Sequence, residues 1–317
     1  MLIIFSAFAA IIPMLLYLVL IWKFDRYDRE PFKHVFVNFL WGALGAIIFA
    51  VIGSLILTGI ASVFIKDESQ LTNFGSVVVA PIVEEITKGF FLLITISNKK
   101  FDNITDGIVY GGAIGLGFGM TENFLYFVTY GGLISSWIML VIVRTMFSAV
   151  MHCVSTATLG AFLGLAKFKS TAIKIFYSFV GLIIAMTIHS IWNFSLSFKT
   201  IAPIGFLFIF ISIIIFISTF VISLKSERKI IFNELKEEIK NGLIPESHLV
   251  ILSSSQRERK GWLDERIRKD YIKAATTLAF RKVQLKNSSG LSKQYYERDI
   301  ENYRMFIGSL LSGPQSI

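Results

Sequence analysis

Val77–Ile96 reads VVVAPIVEEITKGFFLLITI, a run long and apolar enough to cross a bilayer that nevertheless holds Glu84, Glu85 and Lys88. An ionised carboxylate at bilayer depth costs about 3 kcal/mol or more. Two adjacent acids with a lysine one turn on therefore mark a working site inside a membrane protein, not a passive span. Glu84 and Lys88 are spaced i,i+4 and share a helix face.

The rest of the chain agrees with a membrane reading. Its apolar share is 54% and its mean hydropathy +0.65, both too high for a soluble domain. A 19-residue window gives about seven spans, near 2–22, 35–60, 76–96, 107–130, 136–166, 172–198 and 203–224. The fold expected is all-α, a polytopic transmembrane helix bundle. The N-terminal run MLIIFSAFAAIIPMLLYLVLIW lacks the basic start of a cleavable signal and reads as a retained first span, kinked or started at Pro13. Cys153 is the single cysteine, which excludes an intrachain disulfide, and beside His152 it reads as a packing residue more readily than a nucleophile.

Charge falls on alternate connections. Lys23, Arg26, Arg29 and Lys33, then Lys99 and Lys100, then Lys167, Lys169 and Lys174 lie on one side; Lys66 and Lys199 lie on the other. The positive-inside rule makes the first side cytoplasmic, with the N-terminus outside. The chain then divides into a membrane domain, 1–224, and a cytoplasmic basic tail, 225–317. The tail holds eighteen Lys/Arg against twelve Asp/Glu, which favours anionic lipid headgroups over nucleic acid as a neighbour. Its pattern predicts helices over Phe232–Asn241, Trp262–Lys286 and Leu291–Leu311, with breaks at Gly242–Pro245 and Asn287–Gly290.

Four spans place an acid or an imidazole in one slab. At about 1.5 Å per residue, Glu84, Glu85 and His152 lie near their span centres, and Glu122 and His189 about 6 Å outward. His189 and Asn193, in HSIWN, are again i,i+4. Glycines 107, 111, 115 and 119 form a ridge of four-residue period that lets a neighbouring helix approach closely and carries Glu122 and Asn123 inward. Hydrolysis of an amide needs an activated water, a stabilised oxyanion and a proton for the leaving amine. These carboxylates, imidazoles and amides suffice, with a divalent metal on the two imidazoles and a carboxylate or without one. Simpler readings compete: a structural Glu85–Lys88 pair, and a Glu122–Arg144 bond between spans four and five. There is no H-E-x-x-H, Gly-x-Ser-Gly or Gly-x-Gly-Asp, which removes three other membrane-protease types.

The segments EEITK (Glu84–Lys88), DGIVYGGAIGLGFGMTEN (Asp106–Asn123), RTMFSAVMHCVSTATLGAFLGLAK (Arg144–Lys167) and HSIWN (His189–Asn193) resemble the PrsW family of bacterial intramembrane proteases, relatives of the CAAX-protease and bacteriocin-processing group. The loop DRYDREP (Asp25–Pro31) looks like that family's first cytoplasmic loop, and the resemblance covers about residues 1–225. It implies a multi-pass peptidase of the bacterial plasma membrane, cutting single-span membrane-protein substrates typified by anti-sigma factors. It carries roles onto Glu84, Glu85, Glu122, His152 and His189, with Asn193 by analogy to the wider group. Glu84 is expected as general base, His152 and His189 as positioning water or a metal such as zinc, and Glu122 as ligand or second acid. Lys88, Asn123 and Arg144 are expected in support. The competing functions are a proton- or cation-coupled transporter and a non-catalytic membrane scaffold.

Overall fold

The structure is a computed structural model that describes residues 2–98, 101–198 and 200–312. Lys99, Lys100 and Lys199, which enter the charge argument, lie outside the described residues. Among the described residues every regular element is helical.

The chain forms two compact units, Met1–Phe24 with Glu30–Phe220, and Asp25–Arg29 with Val221–Ile317. In the first, α1 is Leu2–Phe24 and α2 is Phe32–Ala61. Helix α3 covers 68–95, its α-helical parts Glu68–Phe74 and Ala80–Thr95 joined through π-helical Gly75–Val79. Next come α4 (Ile104–Tyr130), α5 (Ile134–Ala166) and α6 (Thr171–Ser197), then α7 (Ala202–Lys240), which supplies residues to both units.

Helices stand at all seven predicted spans. Five of them, α1, α2, α5, α6 and α7, are long and apolar enough by themselves to cross a membrane. The other two, α3 and α4, carry the Glu84–Lys88 charges and the glycine ridge, which dilute their apolarity. Large side chains such as Leu55, Phe64, Phe176 and Ile215 are 60–80% exposed, an outward apolar surface that suits lipid. Helix α1 begins at Leu2 and runs through Pro13, so Pro13 does not start it. Its buried stripe, Ser6, Ala10, Met14 and Leu18, has the four-residue spacing of one helix face.

Helix α4 is the axis of this unit. A capping box fixes its start: Asn103 accepts from the Asp106 amide and Asp106 accepts from the Asn103 amide. Its glycine ridge lies against α5. A Cβ on Gly115 would stand 2.1 Å from the His152 carbonyl oxygen, and one on Gly107 would stand 1.9 Å from that of Gly160. Only glycine permits such an approach. The core around α4 gathers Met14, Val35, Phe39, Leu92, Ile114 and Leu159.

The second unit holds the end of α7, α8 (Glu246–Leu252), α9 (Glu265–Lys286) and α10 (Gly290–Ser312), packed on Leu235, Leu249, Tyr271, Leu278 and Ile307. The expected helix over Phe232–Asn241 is the continuation of the last apolar span in one 39-residue helix. Lys225–Ile231 contains no glycine or proline to interrupt it. Helix α9 starts at Glu265, capped by Asp264, rather than at Trp262. Helix α8, short and following Pro245, was not expected from the sequence. Buried Arg257 donates to the carbonyls of Arg26 and Tyr27 and to Thr276 Oγ1, which joins the Asp25–Arg29 loop to this unit.

Candidate active site

Helix α3 presents the adjacent Glu84 and Glu85, with Lys88 one turn on. Glu85 and Lys88 are fully buried; the Glu84 side chain is 12% exposed. Glu85 is saturated. Its Oε1 accepts from Lys88 Nζ at 2.6 Å and Ser155 Oγ at 3.0 Å, and its Oε2 accepts from Thr156 Oγ1 at 3.2 Å. His189 Nδ1, on α6, lies 3.0 Å from the same Oε1. A carboxylate only accepts, so Nδ1 carries the proton and His189 Nε2 is left with its lone pair.

His152, on α5, is held at both nitrogens: Nε2 lies 2.7 Å from Glu122 Oε2 and Nδ1 3.1 Å from Lys88 Nζ. An ammonium only donates, so Nδ1 accepts and Nε2–H donates to Glu122. The two imidazoles stand edge to face, 4.8 Å apart. Glu122 also meets Arg144 Nη2 at 2.6 Å, an ion pair not aligned as a hydrogen bond. Arg144 Nε donates to Asn123 Oδ1 at 3.0 Å, and its guanidinium lies 3.6 Å from the Tyr126 ring centre. Both of the simpler pairs read from the sequence, Glu85–Lys88 and Glu122–Arg144, are therefore present, within one larger network.

Glu84 is different. Its Oε2 is buried and has no hydrogen-bond partner among the described residues. His189 Nε2 stands 3.8 Å away, and His152 Nδ1 and Lys88 Nζ each 3.9 Å. One ligand atom from each of Glu84, His152 and His189 can be chosen so that all lie within 4.8 Å of one another. Ligand atoms around a tetrahedral zinc, with bonds of 2.0–2.2 Å, stand about 3.4 Å apart. An unpartnered carboxylate oxygen facing an imidazole lone pair at 3.8 Å fits a divalent ion after a small inward shift. Behind the triad, Glu85 holds His189 and Glu122 holds His152, the kind of outer carboxylate contact that orients an imidazole at a metal site.

Beside this centre lies a cavity of about 240 Å³ lined by Glu122, His152, Tyr126, Arg144, Ser148 and Trp192 among others. Asn193 lines it too and donates to the Ser76 carbonyl at 2.8 Å. Ser148 Oγ has no partner among the described residues. Cys153 is buried and free, close to where a Cβ on Gly112 would stand.

The structure gathers Glu84, Glu85, Lys88, Glu122, His152 and His189 into one cluster, with Asn123, Arg144 and Asn193 around it. Ser155, a direct donor to Glu85, was missed. Its signal was its place three residues after His152, beside Thr156. The π-helical turns Gly75–Val79 and Arg144–Ser148 were missed as well.

A bundle of apolar helices enclosing a Glu/His/His group defines the class: a membrane-embedded enzyme with a site fit for a divalent metal. The chain belongs to the PrsW family, described as intramembrane metalloproteases, which matches residues 30–222. It is thus a multi-pass membrane protease. Protease PrsW of Clostridioides difficile (strain 630) is 32% identical over 189 residues, 59% of this chain and 77% of that protein. Protease PrsW of Bacillus subtilis (strain 168) is 26% identical over 196 residues, 60% and 81% of the two chains. Protease PrsW of Oceanobacillus iheyensis is 30% identical over 189 residues, 59% and 81%. No solved structure matches the chain.

Proposed function

We propose that this protease hydrolyses a peptide bond in or near the transmembrane segment of a single-span membrane protein, with Glu84 activating the water. The observation that carries this reading is Glu84 Oε2, buried without a hydrogen bond and facing two imidazoles. Glu84, His152 and His189 would hold a divalent ion such as zinc, which supplies Lewis acidity for the scissile carbonyl and for a bound water. A carboxylate that binds through one oxygen keeps the other for a proton. Glu84 takes the proton of the attacking water and returns it to the leaving amine as the C–N bond breaks. Glu85 and Glu122 hold the imidazoles of His189 and His152 in place, the latter with Arg144 and Asn123 behind it. The cavity beside the centre receives the unwound substrate backbone, for which Ser148 and Asn193 offer donors. A helical amide hides its carbonyl in an intrahelical bond, so the substrate has to unwind there.

On this reading 1–224 is the peptidase domain, 225–317 a cytoplasmic tail and the N-terminus lies outside; the alternation of basic connections, with Lys23, Arg26, Arg29, Lys33, Lys167, Lys169 and Lys174 assigned to the cytoplasm by the positive-inside rule, supports it. Single cysteines at Ser69 and Ser135 should label from outside and one at Ser170 should not; the reverse pattern inverts the topology.

The activity is tested with purified protein and a panel of single-span peptides, with and without chelator. Peptides carrying Gly or Pro in the outer half of the span should be cut faster than a uniform poly-Leu span, and chelator should stop the cutting. Undiminished cleavage in chelator removes the metal from the mechanism. Products cut only at the cytoplasmic side contradict the placement of the site.

A further inference from the structure

The ammonium of Lys88 stands at the edge of the metal triad, in contact with part of it. Its Nζ is 2.6 Å from Glu85 Oε1, 3.1 Å from His152 Nδ1 and 3.9 Å from Glu84 Oε2, and lies 4.4 Å from the centre of the Phe118 ring. The side chain is fully buried. Two of the three groups that fit a metal thus face a cation that the chain itself provides.

His152 shows why this matters. A neutral imidazole has one N–H and one lone pair. Glu122 takes the N–H at Nε2, and Lys88 takes the lone pair at Nδ1. A metal ion needs that lone pair. His189 has no such conflict, because Glu85 fixes its proton at Nδ1 and leaves Nε2 open.

We infer that Lys88 competes with the metal as its stand-in: its ammonium offsets one of the two negative charges of Glu84 and Glu85 and occupies the His152 Nδ1 lone pair that an ion would need, so it has to let go of His152 for the ion to bind. This rests on the metal reading of Glu84, His152 and His189. Lys88 lies one turn from both acids, at i,i+3 from Glu85 and i,i+4 from Glu84. Its shorter contact is with Glu85, and its stem is unbranched and flexible. It can therefore leave His152 and keep Glu85. The arrangement has two consequences. Lys88 offsets part of the negative charge of Glu84 and Glu85, and an arriving dication meets a resident positive charge that lowers its affinity.

The test is zinc binding by the full-length protein, measured by equilibrium dialysis with metal analysis, together with thermal unfolding in chelator. Lys88→Met, close in shape and uncharged, should bind zinc at least about tenfold more tightly than the wild type. It should also melt lower in chelator and gain more from added zinc. Lys88→Gln should shift affinity in the same direction and serves if Lys88→Met does not fold. His189→Ala should lose the site. Wild-type loading that His189→Ala abolishes and neither Lys88 variant tightens would overturn the stand-in role while leaving the metal site intact. No zinc on the wild type would overturn the metal reading, and the stand-in with it.

Discussion

Glu84 and Glu238 are both carboxylates placed inside helical packing, and the chain treats them in opposite ways. Glu238, in the C-terminal unit, is gripped on both oxygens. Its Oε1 accepts from Lys282 Nζ at 2.7 Å and Arg304 Nη2 at 2.8 Å, and its Oε2 accepts from Arg304 Nε at 2.9 Å. Lys282 is itself shared with Glu237 Oε2 and the Glu234 carbonyl. Glu84 Oε2 has three nitrogens at 3.8–3.9 Å and a hydrogen bond to none of them. A group whose every acceptor is filled holds a structure together and has nothing left to offer a ligand. A group left short among well-placed nitrogens is held ready, and the cost falls on stability.

The contrast breaks most visibly at Glu84→Gln. Turnover should fall by at least about 10²-fold, the low end for loss of a general base. Thermal stability should hold or rise, since no hydrogen bond to Oε2 is lost. Cleavage rate and unfolding temperature measured on one preparation decide it; stability falling together with activity would make Glu84 a structural acid like Glu238. Glu238→Ala should do the converse. Removing one member of a buried ion pair costs about 3 kcal/mol, and here about 2, because Arg304 is partly exposed and can turn to solvent. Limited proteolysis should show the C-terminal unit opening earlier, with cleavage of a model peptide retained. Loss of that cleavage would give the tail a part in the chemistry.

The smallest effect expected is a pH dependence at His248. Its ring packs edge-on to Trp262 and its Nδ1 faces the Tyr271 hydroxyl at 3.1 Å. Burial holds its pKa below the usual imidazole value. The unfolded chain then binds the proton first, so the contribution is present above about pH 6.5 and is lost as pH falls toward the folded value. Melting of the C-terminal unit should drop slightly below that pH, and His248→Gln should flatten the drop. An unchanged slope in the variant would assign it elsewhere.

Much of the site was legible because membrane depth makes polar residues conspicuous. Glu84, Glu85, Glu122, His152 and His189 stand out from apolar runs, and i,i+4 spacing and the glycine ridge indicate which way they face. The hydrogen bonds that separate their roles were not legible. Whether Glu122 or Glu84 stands nearer the open nitrogen of His189 depends on helix rotation across four elements, and no local pattern encodes that. The π-helical turns at Gly75–Val79 and Arg144–Ser148 also depend on packing, since their sequences suit an ordinary α-helix. In the tail, helix periodicity was visible, but the attachment of Asp25–Arg29 through Arg257 joins residues more than two hundred positions apart.

The glycine ridge of α4 has a consequence of a metrological kind. At Gly107, Gly111 and Gly115 the surface that meets α5 is backbone against backbone, and Gly115 abuts the carbonyl of His152 itself. Side chains hop between rotamers and swell or shrink with substitution; a peptide backbone does not. The separation between Glu122 and His152 is thus gauged from the stiffest parts available, as a machinist sets a gap with a steel block rather than a spring. A methyl group added at Gly115 would be a shim of about an ångström, inserted against the residue that Glu122 and Lys88 both hold.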